Sequence, residues 1–364
     1  MADAPRILMA AGGTGGHIFP ARAAAEALIE QGWQVRLVTD ARGAVHAKDF
    51  PGEGVDEIAA ASPFVTHPVR LARALRDISK GMGQTRKIFA RFHPDVVAGF
   101  GGYPAFPAMA SARLSGIPFV IHEQNAVLGR VNRLFAGRAF AVASGFDRLD
   151  RLNPKANHAV TGNPVRAAVL RKARAYAAPE EGGPIRLLVI GGSLGARILS
   201  EEVPRAVAML PESLRSRIEV VQQTRAESLD LARGVYDEAG VRAVCEPFFD
   251  DMGALYADAH LVIARAGAST VSEVAAMGRP AVFIPLAIAM DDHQRANAEG
   301  LVRAGAAEMM LETEFGAEAL SRRLETLLAD GAGLAARAEA AEKAGKPDAH
   351  ARLAALIQSA RQEP

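Results

Sequence analysis

The apolar residues of this chain fall in short, unbroken runs. A first series reads "RILMA" (6–10), "VRLVT" (35–39), "DVVAG" (95–99), "FVIH" (119–122) and "FAVA" (140–143). A second reads "RLLVIG" (186–191), "IEVVQQ" (218–223), "HLVIAR" (260–265) and "AVFIP" (281–285). Runs without polar alternation suit parallel strands covered on both faces. Between them lie longer stretches with helical spacing, such as Ala21–Gln31 and Thr270–Met277. Strand and helix in alternation predict an α/β protein of doubly wound parallel sheets. The pattern also repeats. "RILMAAGGTGGH" near the start is echoed by "RLLVIGGSLGAR" at 186–197, each a strand, a Gly-Gly-hydroxyl-x-Gly turn and a helix. At about 150 residues per domain, 364 residues make two domains. The segment "TGNPVRAAVLRKARAYAAPEEGGP" interrupts the pattern, which puts the junction near Asn163–Pro164 and the domains at 1–163 and 164–341. The Ala-rich tail after Gly331 reads as helix, and a return of its last part, about 342–364, onto the first domain is expected.

Three glycine-rich turns follow strands: "GGTGGH" (12–17), "GFGGYP" (99–104) and "GGSLGA" (191–196). Such a turn, opening a helix, aims backbone N–H groups at an anion from the positive end of the helix dipole. Thr14 and Ser193 add hydroxyl donors. Tight strand–helix packing is the plainer reading of any one turn. Three of them at strand C-termini favour a ligand, since ligands gather there in such folds. None reads G-x-G-x-x-G, the dinucleotide fingerprint. Asp40, ending the second strand, keeps a nicotinamide oxidoreductase in play as a rival, because a ribose-binding acid sits there in dehydrogenases. His17 falls in the first turn of a helix, where the dipole favours the neutral ring that a general base needs.

In "RAGASTVSEVAAMGRPAVFIP" (265–285), Ala268, Ser269 and Thr270 open a helix and Glu273 lies one turn in. A carboxylate there suits a ribose while the helix N-terminus faces a diphosphate; a capping arrangement is the bland alternative. "DDHQRANA" (291–298) and "HEQNAV" (122–127) put amide and charged groups after strands, a composition suited to sugar hydroxyls. There is no Asp-x-Asp, HExxH or Cys/His cluster, so neither a metal nor a cofactor is expected. Diphosphate charge then falls to backbone N–H groups, Ser193 and Arg166.

Net charge is +1, which announces no nucleic-acid partner. Cys245 is the only cysteine, which rules out an intramolecular disulfide and fits a reducing compartment. The start "MADAPRILMA" does not read as a signal peptide, and the apolar run Ala281–Met290 is broken by Pro285. That run is well short of the ~20 residues a span requires. A soluble, cytoplasmic protein is expected.

Taken in order, "GGTGGHIFPA", "GFGGYPAFPA", "HEQNAVLGRVNR", "TGNPVR", "GGSLGA", "TVSEVAAMGRPAVFIP" and "DDHQRANA" resemble the MurG-type lipid I N-acetylglucosaminyltransferases of peptidoglycan synthesis. The resemblance runs from Ala11 to about Ala298. It implies the GT-B fold, two Rossmann-like domains facing a cleft. It also implies inverting transfer of GlcNAc from UDP-GlcNAc to lipid I, giving lipid II, at the cytoplasmic face of the inner membrane. Cell-wall synthesis proteins are implied as partners. Carried over by position, Thr14, Gly15 and Gly16 form the loop at the reacting diphosphate, and Asn125 reaches the donor sugar. Arg166 and Ser193 meet the diphosphate, and Phe249 offers main-chain groups to uracil where the family more often has an aliphatic residue. Ala268, Ser269 and Thr270 pack at sugar and phosphate, Glu273 takes the ribose, and Gln294 binds GlcNAc hydroxyls. His17 is the implied base, with Glu123 as the alternative.

A lipid acceptor requires a visit to a membrane surface. Residues 69–92 carry seven basic side chains (Arg70, Arg73, Arg76, Lys80, Arg86, Lys87 and Arg91) against one acid, Asp77. Leu71, Leu75, Ile78 and Met82 fall at helical spacing, as a core stripe or as a membrane face. Met82–Phe92 is the favoured part for dipping into an anionic leaflet. The rivals are a UDP-GlcNAc 2-epimerase or a transferase with another acceptor, the oxidoreductase, and a non-catalytic sugar-nucleotide module.

Overall fold

The computed structural model describes residues 4–13, 15–192 and 195–362. Thr14 and Ser193 lie outside the described residues. The chain forms two compact units, one of residues 1–166 with 347–364, the other of residues 167–346.

The first unit is built on seven parallel strands: β1 (Arg6–Ala10), β2 (Gln34–Thr39), β3 (Val55–Glu57), β4 (Val96–Gly99), β5 (Phe119–Glu123), β6 (Ala141–Ser144) and β7 (His158–Val160). Their order is β3-β2-β1-β4-β5-β6-β7. Strand direction is uniform throughout, with Ile7 opposite Val35 on one side and Val96 on the other. The unbroken apolar runs are explained by burial on both faces. Ile7 and Met9 pack with Ile18, Ala21, Ala25 and Leu28 of the Gly15–Glu30 helix. Leu8 and Ala10 face the other way, onto Ile88 and Phe89 of the Pro68–Phe92 helix and Ala108 and Met109 of the Ala105–Leu114 helix. The C-terminal helix Ala349–Gln362 closes the first of these layers, with Leu353, Ala354, Ile357 and Ala360 fully buried in it.

The second unit holds six parallel strands: β8 (Ile185–Ile190), β9 (Ile218–Gln223), β10 (Arg242–Glu246), β11 (Leu261–Ala264), β12 (Ala281–Phe283) and β13 (Ala307–Met309). Their order is β10-β9-β8-β11-β12-β13. Ile185, Leu187 and Val189 bury one face against Leu199, Val203 and Val207 of the Arg197–Ala208 helix. In both sheets the strand order reverses once, between β1 and β4 and between β8 and β11. The crevice beyond such a reversal is where doubly wound sheets bind ligands. All three glycine turns lie there, after β1, β4 and β8.

Four strands were not foreseen in the apolar pattern: β3, β7, β10 and β13. All four are sheet edges. Their residues are largely exposed or half-buried, so no continuous apolar run marks them.

Candidate functional site

After β1 the chain turns through Gly12 and Gly13 and enters the Gly15–Glu30 helix, whose helical spacing is legible from Ala21 and whose first turn the sequence puts at His17. His17 therefore sits in its first turn. Asp40 holds the turn down. Its Oδ1 accepts N–H bonds from Gly13 (2.9 Å) and from Gly43 (3.0 Å), while Oδ2 accepts from Arg42 Nε (3.2 Å) and Nη2 (3.1 Å). Asp40 is thus a buried staple and the N-cap of the short Ala41–Ala44 helix. The ribose-binding reading of this acid, and the oxidoreductase with it, is overturned, because its acceptor sites are already occupied.

The "GFGGYP" turn differs from an anion cradle in what its glycines face. Gly101 and Gly102 have φ of 92° and 77°. A Cβ on Gly102 would lie 2.5 Å from the Gly12 carbonyl oxygen, and one on Gly101 would lie 3.0 Å from His17 Cε1. Glycine is required here so that this turn can press on the first turn and on the imidazole.

His17 is half-buried, with Nδ1 3.0 Å from Gln124 Oε1. Gln124 Nε2 lies 3.1 Å from His122 Nδ1, and His122 Nε2 lies 3.2 Å from the Gly162 carbonyl oxygen. Burial pushes His122 down to about 4, with the Gly162 carbonyl opposing and the charge of His17 adding to the shift. Asn163 Nδ2 donates to the Gln124 carbonyl at 2.8 Å, so "TGNPVR" fastens "HEQN" from behind. Glu123, also buried, accepts from Asn125 N (3.1 Å) and Nδ2 (3.3 Å) with one oxygen. The other accepts from Gly129 N (2.9 Å) and Asn132 Nδ2 (2.8 Å). A carboxylate with four donors on it is a loop staple rather than a poised base. Asn125, half-buried, is turned to that carboxylate. Arg166 belongs to this first unit, its guanidinium 5.6 Å from the Phe19 ring centroid on the same helix as His17.

In the second unit a pocket of about 640 Å³ opens beyond β8 and β11. Gly191, Gly192 and Gly195 line it from one turn, Gly267 and Thr270 from another, and Gln294 from the His293–Arg303 helix. Gly192 and Gly195 have φ of 85° and 68°, and a Cβ on Gly191 would lie 2.3 Å from Ala196 N. Only glycine permits that fold-back. Gly267 is the extended N-cap of the Ala268–Ala276 helix, so the N–H groups of Ala268, Ser269 and Thr270 belong to its unbonded first turn. Gln294 Oε1 accepts the Leu286 N–H at 3.0 Å. Glu273 is buried and takes the Tyr256 hydroxyl at 3.2 Å; neither it nor Phe249, half-buried after β10, lines the pocket.

Residues 7–144 match the glycosyltransferase family 28 N-terminal domain, and residues 186–353 match the C-terminal domain of that family. Over 355 residues the chain is 61% identical to the UDP-N-acetylglucosamine–N-acetylmuramyl-(pentapeptide) pyrophosphoryl-undecaprenol N-acetylglucosamine transferase of Maricaulis maris, covering 97% of this chain and 96% of the relative. The chain belongs to the MurG family of glycosyltransferases. Identity to the protein of the same description in Phenylobacterium zucineum is 48%, over 96% of this chain and 97% of that one. Among solved structures, MurG of Acinetobacter baumannii superposes with a TM-score of 0.79 at 33% identity, covering 98% of this chain and 100% of that one. The fold is GT-B.

Against this family background two features escaped sequence reading. Arg265, almost fully buried, donates to the Ile284 carbonyl at 3.1 Å and pairs with Glu312, whose other oxygen accepts the Ala287 N–H at 2.9 Å. Together they fix the loop that leads to Gln294. The signal available was a charged residue closing the apolar run "HLVIAR". The second concerns the membrane segment. Along the Pro68–Phe92 helix all seven basic residues are exposed, but Ile78, Ile88, Phe89 and Phe92 are buried. The expectation that Met82–Phe92 dips into a leaflet is therefore corrected, since its large aliphatic and aromatic side chains belong to the core. The exposed apolar side chains, Val69 and Leu75, lie near the start of the helix among Arg70, Arg73 and Arg76. Among the described residues no helix is long and apolar enough to cross a membrane.

Proposed function

We propose that this protein transfers N-acetylglucosamine from UDP-GlcNAc to the C4 hydroxyl of N-acetylmuramic acid in lipid I, with inversion, to give lipid II. The observation that carries the mechanism is the placing of His17: a helix-start imidazole beside a glycine turn, at the strand reversal of the first sheet, gripped through Nδ1 by Gln124. In this reading His17 Nε2 takes the C4 proton as that oxygen bonds to the anomeric carbon and the bond to UDP breaks. The negative charge arriving on the diphosphate is assigned to backbone N–H groups at the helix starts Gly15–Gly16 and Ala268–Thr270 and to Arg166, with Thr14 and Ser193 added by the family resemblance. Gln294 reads sugar hydroxyls at the mouth of the second-unit pocket, and Asn125 is assigned to the donor sugar by the family resemblance. Glu273 takes the ribose once its bond to Tyr256 yields, and Phe249 offers main-chain groups to the base.

The acceptor is reached at the cytoplasmic face of the inner membrane. Val69 and Leu75 enter the interface while the flanking arginines and Lys80 face anionic headgroups. Incubation with radiolabelled UDP-GlcNAc and a short-chain lipid I analogue tests the whole reading. Label appearing in the lipid product supports it. Donor hydrolysis or epimerisation without transfer to lipid contradicts it.

A further inference from the structure

Behind His17 runs a row of polar groups to which the transfer step assigns no part: Gln124, His122 and the carbonyl of Gly162. Their hydrogen positions follow from one fixed point. A carbonyl oxygen only accepts, so His122 Nε2, 3.2 Å from Gly162 O, carries a hydrogen. In the neutral ring His122 Nδ1 then holds a lone pair, and the group 3.1 Å from it must be the NH₂ of Gln124. That orients the amide, and its oxygen faces His17 Nδ1 at 3.0 Å. An amide oxygen also only accepts, so the hydrogen of neutral His17 is on Nδ1. Nε2 is left with the lone pair.

We propose that Gln124 is a positioning residue that fixes the tautomer and orientation of His17, with His122 as its buried anchor. The proposal rests on the reading of His17 as base. Which imidazole nitrogen is protonated is set by the bond the other one makes. Here that choice is made three residues deep, in a layer where His122 and Gln124 are nearly fully buried. The row does not pass a proton on. The C4 hydroxyl proton moves to His17 Nε2, Nδ1 keeps its own hydrogen, and the Gln124 oxygen faces the charge that develops on the ring. Asn163 holds the Gln124 backbone from the neighbouring loop, at 2.8 Å, and Gln124 Nε2 also donates to the His122 carbonyl at 3.3 Å, which resists a turn of the amide. On the far side Gly101 closes on the ring and limits its swing.

The test uses the full-length protein with ¹⁵N-labelled histidine, free of ligands and at about pH 8, above the ordinary imidazole range. Multiple-bond ¹⁵N–¹H correlation, assigned by the signals lost in His17→Ala, reads the tautomer directly. The Nδ1–H form is expected in the wild type. Gln124→Met, close in volume but without the acceptor, should mix the tautomers and lower kcat roughly 10- to 100-fold, with UDP-GlcNAc affinity unchanged. His122→Phe, which removes the anchor but leaves Gln124, should shift both readouts in the same direction. An Nε2–H form in the wild type would overturn the proposal, and that measurement needs neither the Gln124 nor the His122 variant to fold. So would a Gln124→Met protein with an unaltered tautomer and wild-type kcat. Failure of the base reading shows elsewhere, as wild-type kcat in His17→Ala, and leaves the spectra to decide the tautomer.

Discussion

At the scale of single residues, the glycines and acids around His17 have separate tasks. Gly101 and Gly102 give the imidazole its seat, and Asp40 pins the turn beneath it. Gly101→Ala would force a Cβ against the ring from a backbone at φ 92°. A displacement near 1 Å at a reacting group can cost about 10²-fold. We expect kcat to fall by roughly that factor while UDP-GlcNAc affinity, measured by calorimetry, stays close to wild type. His122 makes a separate prediction about stability. Its folded value, lowered from 6.5 to about 4, means that the unfolded chain takes up a proton here first as pH falls. The stabilising difference is whole above pH 6.5 and is lost progressively as pH falls through about 4. It amounts to about 3 kcal/mol. Denaturant unfolding between these limits should show a shallower pH slope in His122→Asn than in the wild type; equal slopes would contradict the assignment. His17 itself was legible in the sequence from its place after a glycine turn. Its partner Gln124 was visible only as part of a polar cluster, because it reaches His17 from a loop far along the chain, with His122 and the Gly162 carbonyl behind it.

At the scale of elements, the sequence pattern was a faithful guide wherever an element is covered on both faces. The nine strands read from apolar runs are the interior strands of the two sheets. The four edge strands escaped because half-exposed backbone tolerates residues such as Asp56 or Arg242, which leave no apolar signature. In the Gly15–Glu30 helix the helical spacing shows only from Ala21, because glycine and proline carry no such pattern, yet here they form the first helical turns around His17. The Pro68–Phe92 helix misled differently. Its spacing identified a stripe but not which part of it meets solvent, and the core took Ile88, Phe89 and Phe92. In the proposed reading the membrane contact is assigned to its first turns, where Val69 and Leu75 are exposed. Leu75→Asp should weaken binding to anionic vesicles without lowering the melting temperature, whereas Ile88→Asp should unfold the first unit. Unchanged vesicle binding in Leu75→Asp, followed by co-sedimentation, would leave the basic helix as a solvated face only.

At the scale of the whole molecule, the same sheet plan occurs twice and has been put to two uses. One unit presents an imidazole at its strand reversal, and the other presents a pocket ringed by glycines and a helix N-terminus. That division fits a reaction in which one partner must be deprotonated and the other must carry away negative charge. Because backbone N–H groups and Arg166 are assigned to that charge, transfer should persist in EDTA. Abolition by EDTA with recovery on adding Mg²⁺ would contradict that assignment. Removal of His17 should take away the base and leave the donor pocket in the second unit untouched. The most direct measurement compares His17→Ala with the wild type for kcat of transfer to a lipid I analogue and for UDP-GlcNAc affinity by calorimetry. A positioned general base contributes about 10²–10⁴-fold, so kcat should fall by that factor with donor affinity nearly unchanged. A variant that turns over at the wild-type rate, or one that loses the donor instead, would contradict the account.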